Sequence, residues 1–170
     1  MKKIVLLVVL ISSLGIKGLA QEQKADTLPY LKYPVLPSFE ILLPDSTEKF
    51  STYYIPEGRP IVMMFFSPDC DHCVRFTEQL LEHKDDFKKT RIYMITPMTL
   101  AATKVFADKM GLDKHKNIKW GKDYQYFFIS FYGVKSFPFV AVYDGKKKLI
   151  EGFPGHLTIE DVIKAVERAK

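Results

Sequence analysis

Cysteine is nearly absent: 170 residues hold two, Cys70 and Cys73. That excludes a scaffold of several disulfides and a closed four-thiolate zinc site. Histidine is scarce too. His72, His83, His115 and His156 include no second spaced pair that would complete a metal site with the two thiols. No internal repeat or low-complexity tract occurs, which sets aside solenoids and disordered tails. The apolar stretch at residues 4–16 falls short of the about 20 residues that a membrane-spanning helix needs.

What the chain does have at its start is an ordered set of export signals. Lys2 and Lys3 precede the apolar stretch, and the small residues Gly18 and Ala20 stand at −3 and −1 before Gln21. This is the pattern of a cleaved secretory signal peptide over residues 1–20. An uncleaved N-terminal anchor is the other reading, and it is the only membrane attachment expected. No cysteine follows the apolar stretch to carry a lipid. The protein is therefore expected to be exported, to the periplasm or the outer face of the envelope. Loss of Lys2, Lys3 and Lys17 takes 25 basic residues to 22 against 20 acidic ones, a mature charge of +2. Such a balance gives no electrostatic case for nucleic acid. The lysines of 104–122 and of "DGKKK" read as solvated faces.

Three prolines in "QEQKADTLPYLKYPVLP" predict a loosely attached, extended segment over 21–37. Apolar runs at 39–43 and 50–55, separated by Pro44-Asp45-Ser46, predict a β-hairpin. "IVMMFF" (61–66) is continuous enough for a strand buried on both faces, and "RIYMIT" (91–96) for a second. From Cys73 to Lys88 the period changes to that of an amphipathic helix. A helix over 99–111 ends at Gly111, "NIKWG" suggests a short strand, and the aromatic 122–134 a buried helix. Phe127, Phe128 and Phe131 recur at helical spacing, which favours core packing over a substrate surface. Two strands around Asp144-Gly145 predict a tight hairpin, and a final helix begins at Thr158 with Asp161 three residues on. The fold class is α/β: a mixed central sheet flanked by helices on both faces, forming one domain over 38–170.

The two cysteines thus follow a buried strand and open a helix. A helix N-terminus favours thiolate, so Cys70 is expected to be the nucleophile with a lowered pKa, and Cys73, inside the helix, the resolving thiol. A bridge across so short a loop is a poor structural staple and a good exchangeable one. His72, when protonated, favours the Cys70 thiolate, whereas Asp69 and Asp71 oppose it. A charge about 6 Å away contributes roughly 0.7 kcal/mol in water-like dielectric, comparable with the helix terminus. Two other readings of the pair are half of a metal site and two inert core thiols. A peroxidatic cysteine is not expected, because the lead-in "MMFFSPD" has no proline four residues before the hydroxyl residue Ser67.

On "IVMMFFSPDCDHC" and "YGVKSFPFVAVYDGKKKLIEGFPG", the chain resembles the thioredoxin superfamily. The resemblance implies a cis peptide at Phe137-Pro138 facing the disulfide, with the Phe137 backbone pairing with a substrate peptide. It implies a substrate groove made by Pro68, Asp69 and their neighbours through His72, with Phe137, Pro138 and Gly155-His156. The leading hairpin and the 64 residues between Cys73 and Pro138 resemble the exported TlpA/ResA-type branch, with its N-terminal hairpin and central helical insertion. That branch implies a thiol-disulfide oxidoreductase acting on thiols and disulfides of other exported proteins, served by an upstream redox donor or acceptor. It implies a monomer, with no cofactor beyond the Cys70–Cys73 disulfide and no metal.

Two positions depart from the family pattern: Met64 stands where thioredoxin has a buried aspartate, and Phe76 where the ResA type has a glutamate. Both acids take the proton from the resolving thiol in those relatives. "CDHC" shares its histidine with the oxidising DsbA-type "CPHC". The expected direction is reduction. The alternative is a thioredoxin-fold binding module that holds a metal or a partner without turnover.

Overall fold

The structure, a computed structural model, describes residues 28–45, 47–155 and 157–170. The expected signal segment 1–20 lies outside them. After a helical turn α1 (Pro29–Lys32) come β1 (Glu40–Leu42), β2 (Lys49–Ser51), β3 (Ile61–Phe65), α2 (Asp71–Glu82) and β4 (Arg91–Thr96). Then follow α3 (Leu100–Met110), β5 (Ile118–Lys122), α4 (Phe127–Tyr132), β6 (Phe139–Tyr143), β7 (Leu149–Pro154) and α5 (Ile159–Arg168). All seven strands join one mixed sheet in the order β2-β1-β5-β4-β3-β6-β7. β3, β4 and β5 run parallel, and the other pairs are antiparallel.

The central strand explains its own composition. Side chains alternate across a strand, so one buried on both faces must be apolar throughout. Val62 and Met64 enter a core with Phe66, Cys73, Leu80, Phe106 and Val162. Ile61, Met63 and Phe65 enter a second core on the opposite face, with Tyr30, Phe39, Phe128 and Tyr132. Helices therefore cover both faces, as the apolar runs predict.

Phe65 anchors the second core, stacked on Phe128 with ring centroids 4.3 Å apart and tilted against Tyr132 at 4.8 Å. Phe65→Ala is expected to cost about 3–5 kcal/mol. In a domain of this size that lowers Tm by about 10 °C. A thermal melt shifted by under about 3 °C would mean that these rings do not form a common core.

Several expected boundaries move, each for a local reason. The second hairpin arm is a strand only over Lys49–Ser51; Thr52–Tyr54 is a 3-10 turn. Thr52 turns inward there: its Oγ1 accepts from Phe39 N at 2.9 Å and donates to Pro37 O at 2.7 Å. The helix expected to reach residue 88 stops at Glu82. Turns then bring Phe87 into the core, and Asn117 Nδ2 clasps the carbonyls of Phe87 and Thr90 at 3.1 and 3.2 Å. The aromatic helix shrinks to Phe127–Tyr132 because Asp123 accepts from Gln125 N and Phe128 N and holds a turn ahead of it. Phe128 is buried in the second core with Phe127 and Phe131 half-buried against it, as expected, and Tyr132 joins them.

The β6–β7 connection is wider than the tight turn that Asp-Gly suggests. Asp144 Oδ1 accepts from Lys146 N and Lys148 N, and Lys147 takes the left-handed conformation at φ 64°. Gly145 serves a different need: a Cβ there would sit 3.2 Å from Arg59 N and Gly58 C. The expected cap of the last helix is present, with Thr158 and Asp161 bonded reciprocally. Gly111 closes α3 in the left-handed region, as read.

Of the segment 21–37, expected to be loosely attached, residues 21–27 lie outside the described residues and the rest is held to the domain. From Leu28 on it packs: Tyr30 is buried, and its ring lies over Gly152, where a Cβ would fall 2.8 Å from it. Tyr30 also meets Tyr132 with centroids 5.5 Å apart. Val35 bridges to Lys148 beside β7. Among the described residues no helix is long and apolar enough to cross a membrane.

Candidate active site

β3 ends inside the sheet, and Phe66 N still donates to Ile95 O at 3.0 Å. Ser67 and Pro68 then turn the chain out of the sheet toward α2. Cys70 is the N-cap of α2, in extended conformation, and its Sγ accepts from Cys73 N at 3.2 Å. A cap position leaves the first N–H groups of a helix free for an acceptor, here a sulfur. Cys70 is half-buried; Cys73, one turn on, is fully buried. Both are free thiols.

The second half of the site comes from 67 residues away. Phe137-Pro138 is a cis peptide, and the Cys70 thiol donates to Phe137 O at 3.6 Å. The two motifs singled out in the sequence thus meet at Cys70. Pro138 is buried, Pro68 half-buried and Asp69 exposed. Pro138 and His72 line a cleft of about 370 Å³ with Arg75, Phe76, Leu157 and Thr158. Pro68, Asp69 and Phe137 do not line it. Gly155 does, whereas His156 lies outside the described residues.

His72 is exposed, and Arg75 donates to its Nδ1 at 3.0 Å. Arg75 is the residue that sequence reasoning missed. Its signal was the i, i+3 spacing from His72 on the first turn of α2. Accepting that bond at Nδ1, His72 is the neutral partner, and Arg75 is the permanent cation on this part of α2.

Cys73 has the opposite surroundings. Met64 and Phe66 above it, and Phe76 and Leu80 along its helix, are all buried apolar side chains of one core. Burial first, and then the adjacent Cys70 sulfur, push the Cys73 thiol well above its ordinary value; the backbone at Ser67 opposes this more weakly. Thr77 Oγ1 donates to Cys73 O at 2.7 Å, so it answers the helix carbonyl.

A proton held more tightly in the folded state stabilises the fold while the group is protonated in both states. For Cys73 that contribution is complete below the ordinary thiol value of 9.0 and is lost as pH rises beyond it. Tyr132 and Tyr143, buried with their hydroxyls 2.7 Å apart, are likewise raised, mainly by burial, and act above their ordinary 10.0. Chemical denaturation of the reduced protein should therefore show stability falling above about pH 9, and the fall between pH 9 and 10 should be missing in Cys73→Ala. Equal pH curves for the two would mean that Cys73 ionises as freely folded as unfolded.

Among the described residues, no group of three or more His, Cys, Asp or Glu is placed to hold a metal ion. The sequence profile of the thioredoxin-like domain matches residues 51–170. No curated protein matches the chain. Among solved structures, DsbF of MTB, in mixed oxidized and reduced forms, is similar with a TM-score of 0.65 at 16% identity, over 78% of this chain and 95% of that one. A secreted Mycobacterium tuberculosis disulfide oxidoreductase homologous to E. coli DsbE gives 0.64 at 16% identity, over 76% and 95%. The exposed lipoprotein thioredoxin Etrx1 of Streptococcus pneumoniae gives 0.60 at 20% identity, over 78% and 99%. At these identities the likeness is one of fold.

Proposed function

The chain belongs to the thioredoxin-like family, and from that premise we propose that it is a thiol-disulfide oxidoreductase of the cell envelope, of the TlpA/ResA type. Its substrates are thiols and disulfides of other exported proteins. The observation that carries this reading is the meeting at Cys70: a half-buried sulfur at a helix N-cap, in contact with the carbonyl that precedes a cis-proline.

In the reducing direction, Cys70 thiolate attacks a substrate disulfide. One S–S bond breaks, a mixed disulfide forms, and the departing substrate sulfur takes a proton. Cys73 then loses its proton and attacks Cys70 Sγ, releasing the second substrate thiol and leaving a Cys70–Cys73 disulfide. Two electrons have passed to the substrate, and an upstream dithiol must return them. Arg75 supplies the positive charge that favours the Cys70 thiolate, and His72, accepting from it at Nδ1, holds it in place. Pro68, Asp69, Phe137 and Pro138 border the attacking sulfur and receive the substrate strand. Similarity in fold to a secreted disulfide oxidoreductase and an exposed lipoprotein thioredoxin supports the envelope location.

Met64 and Phe76 favour the second reading, in which the pair holds a partner or metal without turnover, because they leave the resolving thiol among apolar groups. Two measurements on the purified protein decide. Catalytic reduction of insulin disulfides supports the enzyme. Absence of turnover together with stoichiometric capture of zinc or copper supports the binder. Equilibration of the pair in glutathione buffers then gives its direction. A potential near −270 mV belongs to a reductant, and one near −120 mV would reverse the proposed electron flow.

A further inference from the structure

Every feature of the redox site sits at the carboxyl end of β3. The amino ends of the three parallel strands carry something else. Arg59 lies just before β3, Arg91 is the first residue of β4, and Lys116 and Lys119 flank the start of β5. Lys84 and Lys88 join them from the turns after α2. These six side chains line one cleft of about 580 Å³. Lys114 and His115 also border it, and its single carboxylate is Asp85. Strands of five residues separate this cleft from Cys70 by roughly 15 Å along the sheet.

Two further observations separate this cleft from a merely solvated basic face. Among the described residues, none of the six cations is in an ion pair; the cations so engaged are Lys49, His83, Lys104 and Arg168. In addition, Arg91 borders the cleft with its Nη1 lacking any hydrogen-bond acceptor within the protein. Buried charged donors ordinarily find an acceptor, because one left unmade is costly. Two guanidinium groups lining one cleft together with lysines suit an anion that offers several oxygens at once.

We propose that this cleft is a binding site for a phosphate-bearing anion, held by Arg59 and Arg91 and attracted by Lys84, Lys88, Lys116 and Lys119. It lies at the end of the sheet opposite to the redox pair, so the two sites are separable in experiment. The phosphate can belong to a soluble molecule or to an anionic lipid headgroup.

The test uses the full chain with inorganic pyrophosphate as the soluble probe, by titration calorimetry at low ionic strength. Co-sedimentation with phosphatidylglycerol vesicles, against phosphatidylcholine vesicles, is the second arm. The comparison variants are Arg59→Gln/Arg91→Gln and, should that pair unfold by circular dichroism, the exposed pair Lys88→Gln/Lys116→Gln. Lys104→Gln, on another surface, controls for loss of a lysine outside the cleft. Saturable pyrophosphate binding, weakened at least tenfold in the cleft variants but not in Lys104→Gln and weakened by added salt, supports a soluble ligand. Vesicle binding that needs phosphatidylglycerol and is lost in the cleft variants supports a headgroup. Neither probe binding above the neutral-lipid level, or binding equal in wild type and cleft variants, overturns the proposal.

Discussion

Cys73→Ser should turn the protein from a catalyst into a trap. Insulin-reducing turnover should fall at least a thousandfold, to background, while a mixed disulfide between Cys70 and the substrate accumulates toward one per chain. Cys70→Ser should abolish turnover equally and accumulate nothing. The asymmetry follows from position. Cys70 caps α2, is half-buried, and can be reached by a substrate sulfur; Cys73 is fully buried behind it and can reach only Cys70. Gel analysis without reductant, by mass, separates the two variants. Adducts on Cys73 in Cys70→Ser would reverse the assignment of roles.

Met64→Asp should raise the rate of turnover by about 100-fold at pH 7, the lower end of what a positioned general base supplies. Met64 is fully buried in the same core as Cys73, and among the described residues no carboxylate acts on the Cys73 thiol, so its proton is expected to limit the resolving step. The wild-type rate of resolution should accordingly rise about tenfold per pH unit from 7 to 9, following the thiolate fraction of a raised thiol. With aspartate in place that slope should flatten. The substitution removes a packed side chain and buries a carboxyl group, so it should also cost about 2–5 kcal/mol of stability. A folded Met64→Asp protein with the wild-type rate and slope would mean that water already takes the Cys73 proton.

Much of this was legible in the order of residues, because the physics involved is short-range. An apolar run on a strand with two covered faces, a cysteine before a 3.6-period stretch, and Thr158 three residues before Asp161 each carry their meaning within a few positions. What escaped depends on contacts that spacing does not encode. Asp123 makes the aromatic helix begin late by taking backbone N–H groups for itself. Thr52 bends its strand by bonding Pro37 and Phe39. The basic cleft is assembled from four separated stretches, of which only the lysines of 104–122 read as a charged face at all. Arg75 was hidden for a simpler reason: a charged residue on the open side of a helix looks like ordinary surface until its partner, His72, is seen.

Tyr30 and Gly152 carry one more implication. The stretch recognised by kinship begins at residue 51, but the rings that seal the second core begin at Tyr30, pressed onto a glycine of β7 and against Tyr132. Ancestry and self-sufficiency therefore draw different borders around this protein. A chain cut at residue 38 would keep every inherited signature and both thiols. It would also open a groove over Gly152, wetting the flank of an aromatic core whose covering ring lay in the discarded piece.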